Sequence, residues 1–320
     1  MDLSDPRFID NNAARDWLEA QRWPEGPVCP HCGNADTAKI RGLKGKAHRP
    51  GVYQCAECRE QFTVTVGTVM ERSKIPLNKW VLAMHLMSSS KKGMSAHQLH
   101  RMLGITYQSA WFLAHRIREA MRVDARSAGP LGGEGKIVEA DETYHGHVED
   151  KSKGKTTIRG KRGLGGKRPI ISLVERGGSV RSFYAGIATK ATVTRIIKEN
   201  IAPETVLHTD ESRLYGEATA HFAAHRTVKH SAGEYVNLED RTLHTNTIEG
   251  YFSIFKRGMR GVYQHCSEKH LHRYLAEFDF RYNYRVGLGF SDLARTSAIV
   301  RGADGKRLTY RRPNSPSVLL

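Results

Sequence analysis

The chain has 320 residues, with 50 Lys+Arg against 33 Asp+Glu and a formal net charge of +17. Residues 1–28 hold three Arg and six acids, leaving 47 basic and 27 acidic side chains for the rest, so the positive charge lies beyond the N-terminus. This balance points to a polyanionic partner, nucleic acid being the commonest, against the blander reading of a merely soluble basic protein. Hydrophobic residues at 39% exclude a wholly disordered chain. No apolar run approaches the roughly 18 residues of a membrane helix, and the acidic start MDLSDPRFID lacks a signal-peptide layout. A soluble, cytoplasmic protein with no membrane partner is expected.

Residues 1–27 contain NNAARDWLEAQRW (11–23), whose helical spacing of apolar positions predicts a short helix. Four of the five cysteines then form two pairs, Cys29-Pro-His-Cys32 and Cys55-Ala-Glu-Cys58, with 22 residues between them. Two such turns can close a tetrahedral site, so residues 28–70 read as a zinc ribbon with Cys29, Cys32, Cys55 and Cys58 as ligands. A closed four-thiolate site is structural and leaves no open position for chemistry. His31 reads as a surface residue and Cys266 as an ordinary thiol.

Residues 73–122 read as helices. After an apolar helix following Pro76, Ser95 can cap a helix ending at Gly104, and Thr106 can cap a second running through Met121. The pair makes a helix-turn-helix, whose second helix would present Tyr107, Gln108, His115 and Arg118 to a DNA major groove. An ordinary helical hairpin would give the same pattern. Residues 123–136 are Gly-rich and read as a linker. From 137 to 288 short β-branched runs alternate with Gly and turn residues, the first three strands forming a meander, followed by helices over 191–200, 245–258 and 267–284. Residues 151–168 carry eight Lys/Arg, five Gly and no acid, which predicts a basic loop gripping a phosphate backbone through Arg159, Lys161, Arg162, Lys167 and Arg168. Residues 289–320 read as a loose C-terminal tail.

Asp141 follows the strand run KIVEA, and Asp210 follows TVLHT. An Asp at the end of each of two strands can bring two carboxylates onto one divalent cation, which relieves their mutual repulsion. Downstream, HTNTIEGYFSIFKRG (244–258) places Asn246, Glu249, Ser253 and Lys256 on one helix face. Ile248, Phe252 and Phe255 lie on another face. The polar stripe can be aimed at the aspartates or can simply decorate an exposed surface.

Together with CPHCG (29–33), YQCAECREQFTVTVGTVM (53–70), VEADETYHG (138–146), HTDES (208–212) and EKHLHRYLAEFDFRYNYR (268–285), this stretch resembles the DDE transposases of bacterial insertion sequences. The resemblance is to the ISXO-like subgroup with an N-terminal zinc ribbon and a DDNK or DDEK signature. It implies an α+β multidomain chain: zinc ribbon, helix-turn-helix and a ribonuclease H-like α/β catalytic core with a mixed five-stranded sheet. It further implies a nucleoid-associated enzyme that cleaves insertion-sequence ends and transfers strands, using Mg²⁺ or Mn²⁺ on Asp141 and Asp210, with Lys256 on a phosphate. Its partners would be the element's terminal repeats and target DNA, held by a homo-oligomer. For the third ligand, Asn246 is separated from Asp210 by 35 intervening residues, the gap commonly seen in DDE enzymes, while Glu249 is separated by 38 and keeps an anionic oxygen with a Lys seven positions on. Two further readings stand beside the enzyme. One is a domesticated, non-catalytic DNA-binding regulator, disfavoured by the retained acids. The other is an RNA-processing nuclease, disfavoured because A-form RNA hides its major groove from a recognition helix.

Overall fold

The computed structural model describes residues 2–123, 128–147, 166–217, 221–229 and 240–309. The chain divides into two units, one formed by residues 1–89, 94–121 and 291–320, the other by residues 90–93 and 122–290. Among the described residues, no helix is long and apolar enough to cross a membrane.

In the first unit, α1 (Pro6–Ile9) and α2 (Asn11–Arg22) are each capped by an aspartate, Asp5 and Asp10, whose side chains accept backbone N–H bonds. Three short antiparallel strands follow in the order β1 (Ile40–Gly42), β2 (Tyr53–Cys55) and β3 (Gln61–Phe62). Trp23, Tyr53 and Phe62 pack mutually with ring centroids 5.7 Å apart. The Tyr53 hydroxyl donates to Glu19 of α2 at 2.8 Å, which ties the small sheet to the predicted helix. Helix α3 (Leu77–Ser89) is buried along most of its length, as its apolar run predicts.

Helices α4 (Ala96–Leu103) and α5 (Tyr107–Met121) start and stop where the local signals place them. Ser95 Oγ accepts from Gln98 N, Gly104 takes a left-handed conformation with φ 58°, and Thr106 Oγ1 accepts from Ser109 N. The expected loose tail is corrected in part. Residues Asp292–Arg301 form α9, capped by Ser291, with Ala298, Ile299 and Val300 buried. Thr296 of α9 lies 3.2 Å from His85 Nδ1 of α3, a partner more than 200 residues earlier that the tail's own composition could not reveal.

The second unit is built on five strands, β4 (Ile137–His147), β5 (Lys167–Glu175), β6 (Val180–Tyr184), β7 (Val206–Asp210) and β8 (Ala224–Val228). They form one mixed sheet in the order β6-β5-β4-β7-β8. The first three make the expected antiparallel meander, and β4, β7 and β8 run parallel. Helix α6 (Lys190–Asn200) makes the crossover to β7. The short edge strand β8 carries no clear sequence signal, since only Val228 of its five residues is buried. One sheet face packs Val138, Ala140, Leu173 and Leu207 with Val193 and Ile197 of α6. The other face packs Ile170, Val174 and Val180 against α7 (Asn246–Gly258) and α8 (Leu271–Asn283).

Candidate functional site

The zinc ribbon is assembled by two turns that the CxxC spacing already implies. Cys29 Sγ lies 3.6 Å from Cys58 Sγ, and Cys32 Sγ lies 3.7 Å from Cys55 Sγ. An ion about 2.3 Å from each of four sulfurs at tetrahedron corners would separate them by about 3.8 Å, so the donor set fits zinc in both chemistry and spacing. Asn34 Nδ2 reaches Cys55 Sγ at 3.6 Å. The backbone N–H of Cys58, and then this amide, lower the Cys55 thiol, while the crowding of neighbouring sulfurs helps raise those of Cys32 and Cys58, so the four thiols share protons that a metal ion would displace. His31 is exposed beside this set, as expected.

The second cluster lies where β7 ends beside the middle of β4, so the expectation of a strand-terminal Asp holds for Asp210 but is corrected for Asp141, after which β4 runs on to His147 because it stays paired with β5. In the β4–β7 ladder Glu139 is the partner of His208, so Asp141 and Asp210, two residues further along each strand, come out side by side. One ligand oxygen from each of Asp141, Glu142 and Asp210 can be chosen so that all three lie within 4.8 Å of one another. Asp141 Oδ1 accepts from the backbone N of Glu142 at 2.7 Å, and Asp210 Oδ1 accepts from Ser212 N at 3.0 Å. Burial first, then the facing Asp210 and Glu142, push the Asp141 carboxyl up to about 7. Three carboxylates this close repel unless protons or a cation intervene, so the set suits a hard divalent ion.

Glu142 is the member that sequence reasoning missed. Its carboxylate accepts the Tyr215 hydroxyl at 2.6 Å and the Ser212 hydroxyl at 3.4 Å. Its only sequence signal is adjacency to Asp141, which in a strand ordinarily means the opposite face. Of the residues proposed for the third position, Asn246 opens α7 and is exposed, whereas Glu249, one turn on, is half-buried. Glu249 lies outside the three-carboxylate set, yet its charge contributes to raising Asp141. Lys256 is exposed on the same helix with its Nζ 5.8 Å from the Phe252 ring centroid.

The expected nucleic-acid contacts divide. Tyr107 is 42% exposed and stacks on His97 with centroids 4.2 Å apart, and Gln108 is also exposed. His115 and Arg118 are corrected: both are buried, because every residue of α5 from Leu113 to Met121 is enclosed and only its first turns face outward. Arg168 is corrected as well. It is buried within β5, and its Nη1 donates to the Cys266 carbonyl at 2.6 Å, so it braces the fold instead of reaching out from a loop. Lys167 begins the same strand and stays exposed. Arg159, Lys161 and Arg162 lie outside the described residues.

Comparison with known proteins follows this division of the chain. Residues 9–61 match the family described as transposase zinc-ribbon domain. Residues 130–283 match the family described as ISXO2-like transposase domain. A protein of Halobacterium salinarum, described as an uncharacterized protein in transposable element ISH50, is 29% identical over 291 residues, covering 86% of this chain and 91% of the relative. Among solved structures, the simian T-cell lymphotropic virus intasome in complex with PP2A regulatory subunit B56 gamma contains a similar chain. That likeness covers 57% of this chain and 63% of the other at 14% identity, and its TM-score of 0.27 is too low to bear on fold or function. With both domains matched and the relative aligned along most of its length, the chain is similar, domain by domain, to a transposase zinc ribbon followed by an ISXO2-like transposase domain.

Proposed function

We propose that the chain is a DDE-type DNA transposase that binds the ends of an insertion sequence, cleaves them and joins them to target DNA. The observation that carries this reading is the convergence of Asp141 and Glu142, in the middle of β4, with Asp210 at the end of the neighbouring parallel strand β7. The antiparallel meander followed by two parallel strands supports a ribonuclease H-like reading of the core. Divalent ions, Mg²⁺ or Mn²⁺, would supply Lewis-acid stabilisation for in-line attack by water or a 3′-hydroxyl on phosphorus. Asp141 and Asp210 would hold these ions, with Glu142 and Glu249 or Asn246 completing the oxygen set. Lys256, exposed on the helix that bears Glu249, would meet a phosphate near the scissile bond. The exposed start of α5, with Tyr107 and Gln108, would read the terminal repeats as the second helix of a helix-turn-helix. Lys167 and the basic segment before it would grip backbone. Two ends must be joined in one event, so a homo-oligomer on double-stranded DNA is part of the proposal.

Asp141→Ala and Asp210→Ala test it. Each is expected to abolish end nicking and strand transfer while leaving specific end binding intact. At the third position, Glu249→Ala is expected to be at least as damaging as Asn246→Ala if the anionic oxygen dominates. The reverse order, with activity kept in Glu249→Gln, would assign the ligand to Asn246. Full activity in either aspartate variant would sink the metal-ion reading, whereas specific end binding by the wild type with no nicking in Mg²⁺ or Mn²⁺ would favour the non-catalytic DNA-binding regulator.

A further inference from the structure

Helix α7 bears both candidates for the third ligand, and the local support of its first turn is slight: the Asn246 N–H donates to His244 Nδ1 at 3.3 Å. The residue before it, Thr245, makes no side-chain capping bond. Yet this end of the helix is held by the sheet face on which it packs. Glu139 of β4 is fully buried, and its Oε2 accepts the backbone N–H of Ile248 at 2.9 Å. Its Oε1 accepts the Thr247 hydroxyl at 2.8 Å. A carboxylate at this position also complements the positive end of the helix dipole.

The buried charge is paired. Arg176, in the turn after β5, donates from Nε to Glu139 Oε1 at 2.6 Å. The same guanidinium donates to the Thr242 carbonyl at 2.6 Å and the His244 carbonyl at 2.7 Å, so it also fastens the segment that leads into α7. His208 Nδ1 lies 3.2 Å from Arg176 Nη2. Glu139 and Asp141 are two residues apart on one face of β4, as His208 and Asp210 are on β7. One row of the sheet thus carries the aspartates, and the row before it carries Glu139, which grips α7, and His208, which lies against Arg176.

We infer that Glu139 is a positioning residue, which caps α7 in trans and with Arg176 sets the helix that carries Asn246 and Glu249 at a fixed height beside Asp141 and Asp210. This rests on the reading of those residues as a metal-ion site. Outer groups that orient metal ligands commonly carry about 10–100-fold in metal affinity, and a helix that slides by a fraction of a turn would misplace the third oxygen.

The binding and exchange measurements use the full chain with its zinc retained and Mn²⁺ as probe, without DNA, and cleavage of an element-end duplex is measured beside them. Glu139→Ala is expected to weaken Mn²⁺ binding by about tenfold and to speed amide exchange at residues 245–250, while exchange in α6 stays at the wild-type rate. Glu139→Gln keeps an acceptor oxygen and should recover part of both losses, and the cleavage rate at saturating Mn²⁺ should return towards wild type. A purely structural role would instead lower that plateau and raise exchange throughout the core. Should Glu139→Ala not fold, Thr247→Val removes one bond to the same carboxylate without stranding a charge, and a rise of a few-fold in Mn²⁺ dissociation constant is expected. A folded Glu139→Ala, or failing that Thr247→Val, with wild-type Mn²⁺ affinity and wild-type exchange in α7 would overturn the inference. Asp141→Asn separates the two readings: Mn²⁺ binding unaffected by that change would remove the metal site itself, and the exchange of α7 alone would then decide the capping role.

Discussion

The hydroxyl of Tyr215, a residue only 1% exposed, points at Glu142 and donates to its carboxylate at 2.6 Å. Burial raises the Glu142 carboxyl, and this bond from Tyr215 opposes the rise. The tyrosine therefore favours the ionised form of a carboxylate that burial and the neighbouring Asp210 push towards protonation. Tyr215→Phe should let the proton compete, weakening Mn²⁺ binding by about tenfold near pH 6 and less near pH 8. A Mn²⁺ titration of the variant at both pH values checks this, and equal affinity to wild type at the lower pH would rule it out.

Asp141 makes a prediction about stability with a defined sign. Its carboxyl rises from 3.8 to about 7 in the folded chain, through burial first and then Asp210. A folded state that keeps a proton after the unfolded chain has lost it is favoured at low pH, and that advantage disappears as pH climbs from about 4 to about 7. At about 1.4 kcal/mol per pH unit, the whole effect is at most about 4 kcal/mol. Asp141→Asn should remove this decline, so that without added divalent ions the variant is the more stable protein above neutrality. Urea unfolding across that window is the measurement. Added Mg²⁺ should restore the wild type and leave the variant unchanged.

The ribbon should hold about one zinc per chain on Cys29, Cys32, Cys55 and Cys58. Metal binding is a large share of the folding free energy of so small a sheet, so a strong chelator or Cys55→Ser should unfold it and spare the five-stranded core. Elemental analysis and exchange of the β2 amides report the two halves of this expectation. A folded, zinc-free ribbon would defeat it.

Arg168 and Lys167 are neighbours in sequence with opposite expected behaviour. Lys167→Ala, combined with neutralisation of Arg159, Lys161 and Arg162, should flatten the salt dependence of DNA binding, because a protein that neutralises fewer phosphates displaces fewer counterions. Arg168→Ala should instead lower stability by about 1–3 kcal/mol, since it strands the Cys266 carbonyl and empties a buried position. Its salt slope should match the wild type. Binding isotherms over a series of salt concentrations, with unfolding measured in parallel, separate the two effects.

What the sequence determined by itself was local. The CxxC turns carry their own geometry, Ser95, Gly104 and Thr106 begin and end helices through bonds to residues a few positions away, and Asp141 and Asp210 announce themselves by the apolar runs before them. The tertiary structure decided whatever depends on partners distant in the chain. Arg168, His115 and Arg118 are charged or polar side chains that sequence places on a surface, yet each is buried. The pull of Thr296 towards His85 could not be read from a C-terminal segment that looks like a tail. Glu142 belongs to the acidic set because Ser212 and Tyr215 hold it there from about 70 residues away. Glu139 reads as one more acid in a strand until α7 is laid across it, with Ile248 and Thr247 more than 100 residues on. Period and capping are encoded within a few residues. The burial of a charge is settled only by the group that meets it, and in this fold that group comes from another element.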